Sequence, residues 1–149
     1  MHEFSVLTGN LAAGSALAVF TVLTHMGGLI IIAAVLPWVA RKLGLHTHDA
    51  GRTLVMTAAV LGILALLTLE IWTWAIAYGV LGVTADFPDA LYLSTAMFST
   101  VGTAAPLFHP VWRLLTALEG IIGFLMIGWS TAYLVRAATR HGPFQQDHF

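Results

Sequence analysis

Three long apolar runs, one short basic loop and one longer semi-polar stretch make up most of this chain. The first run, Leu11 to Val39, contains no acidic or basic residue except His25. At about 1.5 Å of rise per residue it is long enough to cross about 30 Å of hydrocarbon with some tilt. The second runs from Leu54 to Tyr78 and the third from Val111 to Val135, with one carboxylate in each, Glu70 and Glu119. The pattern predicts helices over 11–39, 54–78 and 111–136, with a tail at 137–149. The stretch between the second and third runs is too long for a tight turn and too short for a domain. Within it, Phe87 to Phe98 is amphipathic, and Pro88-Asp89 has the form of a helix start, with an acidic side chain at the positive end. The irregular sequence Ser99-Thr100-Val101-Gly102-Thr103-Ala104-Ala105-Pro106 follows. A re-entrant segment over 87–106 fits this order: a short helix enters the membrane and a loop climbs back out. Such backbone persists at membrane depth only where protein or a water-filled cavity covers it.

Composition agrees with a membrane setting. Of the 149 residues, 58% are hydrophobic and 9% charged, and the mean hydropathy is +0.87, outside the soluble range. The expected fold class is a single all-α membrane domain in a lipid bilayer. The net charge of −1 offers no basic field for nucleic acid. There is no cysteine, which excludes disulfides and thiolate metal sites. Met1-His2-Glu3-Phe4 lacks the basic start of a signal peptide. Five of the six Lys and Arg residues fall in the Arg41–Arg52 loop or after Val135. Positive charge marks the cytoplasmic side, so the N-terminus is expected outside and the C-terminus inside, in the cell's inner (plasma) membrane. Arg113, at the outer start of the third run, is the exception and can snorkel to headgroups. Trp72, Trp74 and Tyr78 are expected to form an interfacial aromatic belt.

The re-entrant segment carries the candidate chemistry. A short helix ending near Ser99 would aim its negative end at the membrane centre, where a dehydrated cation gains most from it. Thr100-Val101-Gly102 would follow as extended backbone whose carbonyls replace a hydration shell. The order of a span, ALYLSTAMFSTVGT, and then VWRLLTALEGIIGFLMIGWSTA resembles the pore module of the potassium-channel superfamily. It is most similar to bacterial two-helix, pore-loop members with an extra N-terminal helix. The likeness covers about Leu54 to Val135, and His25 and Glu70 are also similar to that subgroup. It implies a homotetramer with three membrane helices, a pore helix and a filter loop per subunit. The selectivity filter would be Thr100, Val101, Gly102, Thr103 and Ala104. The family filter is TVGYG; here Thr103 stands at the Tyr, Ala104 at the second Gly and Ala105 at the Asp that usually follows. Ala in a left-handed conformation costs roughly 1–2 kcal/mol that Gly does not, and Thr103 is too short to brace the filter from behind. The resemblance therefore implies passive conduction of monovalent cations, potassium or sodium, with weak or altered selectivity. A non-conducting scaffold or sensor that keeps the fold is the alternative. By the family's spacing, Gly123, Ile127 and Thr131 are pore-lining or gating positions, and Ile127 would make the cavity below the filter hydrophobic. Gly123 and Gly128 are hinges or close-packing positions; the sequence alone leaves both open.

Carboxylates inside a span are costly and point to function. Counted from the ends of their runs, Glu70 and Glu119 lie at matching depths. Both are expected to support the filter as hydrogen-bonding braces rather than to coordinate ions. His25, beside Thr24, is either a proton-sensitive partner of Glu70 or a satisfied interhelical hydrogen bond. His46, His48, Asp49, His141 and His148 offer a cytoplasmic metal or pH site without regular ligand spacing. No metal set and no nucleophile–base pair is visible, so neither an enzyme nor a cofactor is expected. No inverted repeat suggests a carrier.

Overall fold

A computed structural model describes residues 2–45, 48–102 and 108–141. Four helices account for nearly all of them: α1 (His2–Lys42), α2 (Asp49–Leu81), α3 (Phe87–Phe98) and α4 (Arg113–His141). A short 3-10 turn, Pro110–Trp112, leads into α4. Three of the helices are long and apolar enough to cross a membrane. No strand occurs among the described residues.

The three long helices all run past their apolar cores, and local chemistry explains where each one stops. α1 begins nine residues before Leu11. Asn10 anchors that extension: it is buried, and its Nδ2 donates to the Val111 carbonyl (2.8 Å) and to Val6 (3.1 Å). At its other end α1 passes through Pro37 and finishes on Arg41 and Lys42, two cations at the negative end of the helix dipole. α2 starts with Asp49 in its first turn and closes on Gly82, whose φ of +67° is the left-handed turn that favours glycine. Two bonds finish that cap, Gly82 N–H to Gly79 O (3.3 Å) and Val83 N–H to Tyr78 O (2.9 Å), the paired pattern of a Schellman motif. α3 is capped by Asp86, whose side chain accepts from the Asp89 N–H at 2.9 Å, with Pro88 in the first turn.

α3 packs against both α2 and α4, and α1 packs against the same two helices without substantial contact to α3. The main core lies where α2, α3 and α4 meet, around Trp74, Tyr78, Leu93, Phe98, Leu115 and Met126. A smaller cluster of Leu29, Ile63 and Leu66 joins α1 to α2. Large apolar side chains such as Leu23, Ile30, Leu61 and Phe124 face outward, while Thr21, His25, Glu70, Ser94, Glu119 and Ser130 are buried. Lipid removes the reason to hide leucine, and polar groups inside the bundle become the specific glue between helices.

Candidate functional site

The end of α3 turns directly into the candidate ion-binding backbone. Ser99 N–H bonds to Thr95 O (3.1 Å), Thr100 N–H to Met97 O (3.0 Å) and Gly102 N–H to Ala96 O (3.0 Å). The last carbonyls of the helix are thus used by the loop that leaves it. Thr100 has φ +63° and Gly102 +74°, while Val101 between them is not positive. Thr100 is the one non-glycine residue with positive φ among the described residues. A β-branched residue there costs roughly 1–2 kcal/mol and persists only where its surroundings over-determine it. Alternation in the sign of φ is the device that turns successive peptide groups to one side of a chain. The Thr100 and Val101 carbonyls accept no hydrogen bond from the described residues, and the Val101 side chain is 82% exposed. At membrane depth such carbonyls must find a partner, whether protein, water or an ion. Thr103 and Ala104, the outer part of the expected filter, lie outside the described residues, as do Ala105 and Pro106.

α4 supports this turn by close approach. A Cβ on Gly123 would sit 2.1 Å from Phe98 O and 2.7 Å from its Cα. One turn earlier, a Cβ on Gly120 would lie 3.4 Å from Met97 O. The pore-lining expectation for Gly123 is therefore corrected: this glycine is buried beneath the end of α3, and packing explains it. Nothing lies within 4 Å of a Cβ on Gly128. Ile127 (37% exposed) and Thr131 lie on the open face of α4, where the Thr131 hydroxyl donates to Ile127 O at 2.9 Å.

Glu119 is the node beneath the site. Its carboxyl is fully buried. Oε2 accepts from the Tyr78 hydroxyl of α2, and Oε1 lies 2.5 Å from Ser94 Oγ of α3. The Ile71 carbonyl, 2.8 Å from Ser94 Oγ, is a second acceptor for that one hydroxyl hydrogen. One carboxyl thus fastens α4 to the outer helix and to the short helix that carries the filter turn.

Glu70 does something else. Its Oε1 lies 2.9 Å from His25 Nδ1 of α1, and His25 Nε2 lies 3.4 Å from Ser130 Oγ of α4. Oε2 of Glu70 is buried without a hydrogen-bond partner. The filter-support expectation for Glu70 is corrected accordingly, since its partners belong to the N-terminal helix and not to α3. The expectation of matched depths fails for the same geometric reason. From the observed helix ends at Leu81 and Arg113, Glu70 lies roughly 16 Å into α2 and Glu119 roughly 9 Å into α4 at 1.5 Å per residue.

Ser130, His25 and Glu70 are linked in the order of a hydrolase triad, a nucleophile–base pair that 105 residues of separation hide in the sequence. All three are buried between helices, so the serine presents no open face to a substrate. Tyr78, Ser94 and Ser130 are the functional candidates that sequence reasoning missed. Their available signal was spacing: Glu70, Trp74 and Tyr78 stand four apart and share one face of α2. Trp74 and Tyr78 consequently do not form an interfacial belt. Both are buried, and Trp74 Nε1 donates to Thr21 Oγ1 at 3.0 Å; Trp72 is the exposed one. Of the loop histidines, His48 is exposed, while His46 and His148 lie outside the described residues. No group of three or more metal-ligating side chains occurs among the described residues.

The family model described as an ion channel matches residues 65–140. That stretch is just over half of the chain and contains α3, the filter turn and most of α2 and α4. No curated protein and no solved structure matches the chain.

Proposed function

Because the chain belongs to the ion channel family, with a potassium-channel-like pore module, we propose that four copies surround one axis and pass monovalent cations passively. The observation that carries this is the filter turn itself: the carbonyls of Thr100 and Val101, which no described residue bonds, on strained and exposed backbone. One such turn cannot enclose an ion, and a ring of carbonyls needs several. The exposed face of α4, with Ile127 and Thr131, would line the path below that ring. Selectivity between potassium and sodium is weak in this proposal, because Thr103, Ala104 and Ala105 replace the residues that hold the outer carbonyl rings of the family filter. With fewer rigid sites, an ion passes partly hydrated.

Purified protein in mild detergent should give the mass of four chains. The same preparation in planar bilayers should pass current under bi-ionic potassium and sodium, with a reversal potential near zero. A monomer or dimer would rule out the ring, and a preference for potassium of about a hundredfold, which requires a full set of carbonyl rings, would rule out the weak filter.

The basic segment from Arg41 to Arg52 faces the cytoplasm in this proposal, since positive charge resists translocation. An impermeant thiol reagent should therefore leave an introduced cysteine at Arg52 unlabelled on intact cells, and labelling from outside would reverse the orientation.

A further inference from the structure

His25, Glu70 and Ser130 take no part in the filter or in its support at Glu119. Their geometry joins three helices through one imidazole: α1 supplies the ring, α2 the carboxylate at 2.9 Å and α4 the hydroxyl at 3.4 Å. The Trp129 ring lies beside it, with centroids 5.8 Å apart. α1 lies outside the matched residues 65–140, so family membership gives it no role.

The two ring nitrogens cannot play the same part. Carboxylate and hydroxyl on opposite sides of a neutral imidazole fix Nδ1–H as the donor to Glu70, and leave Nε2 to accept from the Ser130 hydroxyl. A proton added at Nε2 makes that nitrogen a donor. Ser130 must then accept and turn its own hydrogen elsewhere, and the carbonyl four residues back, Met126 O, is the acceptor that a helix offers a serine. The bond between α1 and α4 reverses while Glu70 stays where it is.

The geometry singles out Nε2 as the seat of an added proton. Glu70 uses one carboxylate oxygen and leaves Oε2 buried and bare, an arrangement that is costly for an anion inside a span. A proton on Oε2 would find no acceptor there, whereas a proton on Nε2 finds Ser130. No competing charge faces the ring from the packed helices. α4 offers Ser130 and Trp129, with Tyr133 one turn further on, and Glu119 is occupied by Tyr78 and Ser94. On α1 itself the nearest acidic or basic residue towards the cytoplasmic end is Arg41, about 24 Å along the helix, and α3 makes no substantial contact with α1.

We propose that His25 is a proton-operated positioning residue, which on protonation changes from acceptor to donor toward Ser130 and re-seats α4 at the level of Ile127 and Thr131. The effect on ion flow rests on the conduction reading; the movement of α4 does not.

The test uses the full chain in lipid with two readouts between about pH 4 and 9, which brackets ordinary carboxylate and imidazole titration. In protein labelled with 5-fluorotryptophan, the Trp129 resonance, assigned by Trp129→Phe, should titrate in the wild type and not in His25→Gln. The chain has no native cysteine, so spin labels at Ile30→Cys and Val135→Cys report the α1–α4 distance cleanly. That distance should change with pH in the otherwise wild-type protein and stay fixed with Ser130→Ala. Current should change about fivefold over the same range, which corresponds to a difference of about 1 kcal/mol between the two forms of the α1–α4 contact, and Ser130→Ala should flatten its profile. A Trp129 resonance indifferent to pH overturns the proposal, and so does a Ser130→Ala variant that keeps the wild-type distance change. Absence of current at every pH, with the distance change intact, removes the conduction reading and leaves the proton-operated contact standing.

Discussion

Glu119→Leu is expected to loosen α3 from the bundle and to lower stability by about 2–3 kcal/mol. The largest part comes from Tyr78. Its hydroxyl is buried and donates to Glu119, and a buried donor left without a partner costs roughly 1–3 kcal/mol. Ser94 suffers less, because it keeps the Ile71 carbonyl at 2.8 Å, and interhelical hydrogen bonds inside membranes average only about 0.6 kcal/mol. Glu119→Gln should fall within about 1 kcal/mol of wild type. Its carbonyl can accept from Tyr78 and its amide can donate to Ser94, whose one hydrogen then goes to Ile71 O, the other acceptor in reach. Adding Tyr78→Phe to Glu119→Leu removes the stranded donor and should recover most of the loss. Thermal unfolding in detergent of Glu119→Leu, Glu119→Gln and the double variant measures all of this. Equal stabilities for Glu119→Leu and wild type would mean that the carboxyl does not hold α3. A double variant no better than Glu119→Leu would place the cost somewhere other than Tyr78.

The sequence made the scaffold legible because lipid simplifies the problem. Three uncharged or nearly uncharged runs have few alternatives to spanning helices, and Pro88-Asp89 marks the start of a short helix whatever it packs against. The filter turn was legible in position, since Thr-Val-Gly follows that helix directly. Its conformation was not: nothing in the letters places Thr100 at positive φ, which depends on Thr100 and Gly102 folding their N–H groups back onto Met97 and Ala96. The carboxylates were legible as unusual, but their partners were not. Depth was counted from the apolar runs, and α2 continues to Leu81 while α4 begins at Arg113. That offset of about 7 Å, less than one and a half turns, separates the two carboxylates in level, and Glu70 meets His25 rather than α3. Tyr78 shows the same limit from the other side. A tyrosine near the end of a span suits an interface, and only the approach of α4 turns its hydroxyl inward to Glu119. Gly123 was an even choice between hinge and packing until the Phe98 backbone appeared beneath it.

That contact makes Gly123→Ala the most disruptive of the three glycine-to-alanine changes in α4. The added Cβ would lie 2.1 Å from Phe98 O, so this oxygen must withdraw by about 1.3 Å to reach ordinary contact at 3.4 Å. The obstacle is backbone, which cannot swing aside as a side-chain tip would. Phe98 is also the last residue of α3, two positions before the strained Thr100, so the displacement passes straight into the filter turn. Overpacking of this kind costs roughly 1–3 kcal/mol. The larger consequence should be geometric: carbonyl rings work by fixed spacing, and in the proposed tetramer a shift of this size in every subunit should abolish most of the current. Gly128→Ala in the same helix is the control. Nothing stands within 4 Å of its Cβ, and replacing Gly by Ala within a helix gains up to about 1 kcal/mol of propensity. The two variants are compared by thermal unfolding, by mass in mild detergent and by bilayer current. The expected order is wild type and Gly128→Ala close together, with Gly123→Ala less stable and nearly silent. A Gly123→Ala protein with wild-type stability and current would show that α4 does not press on the end of α3 in the working channel.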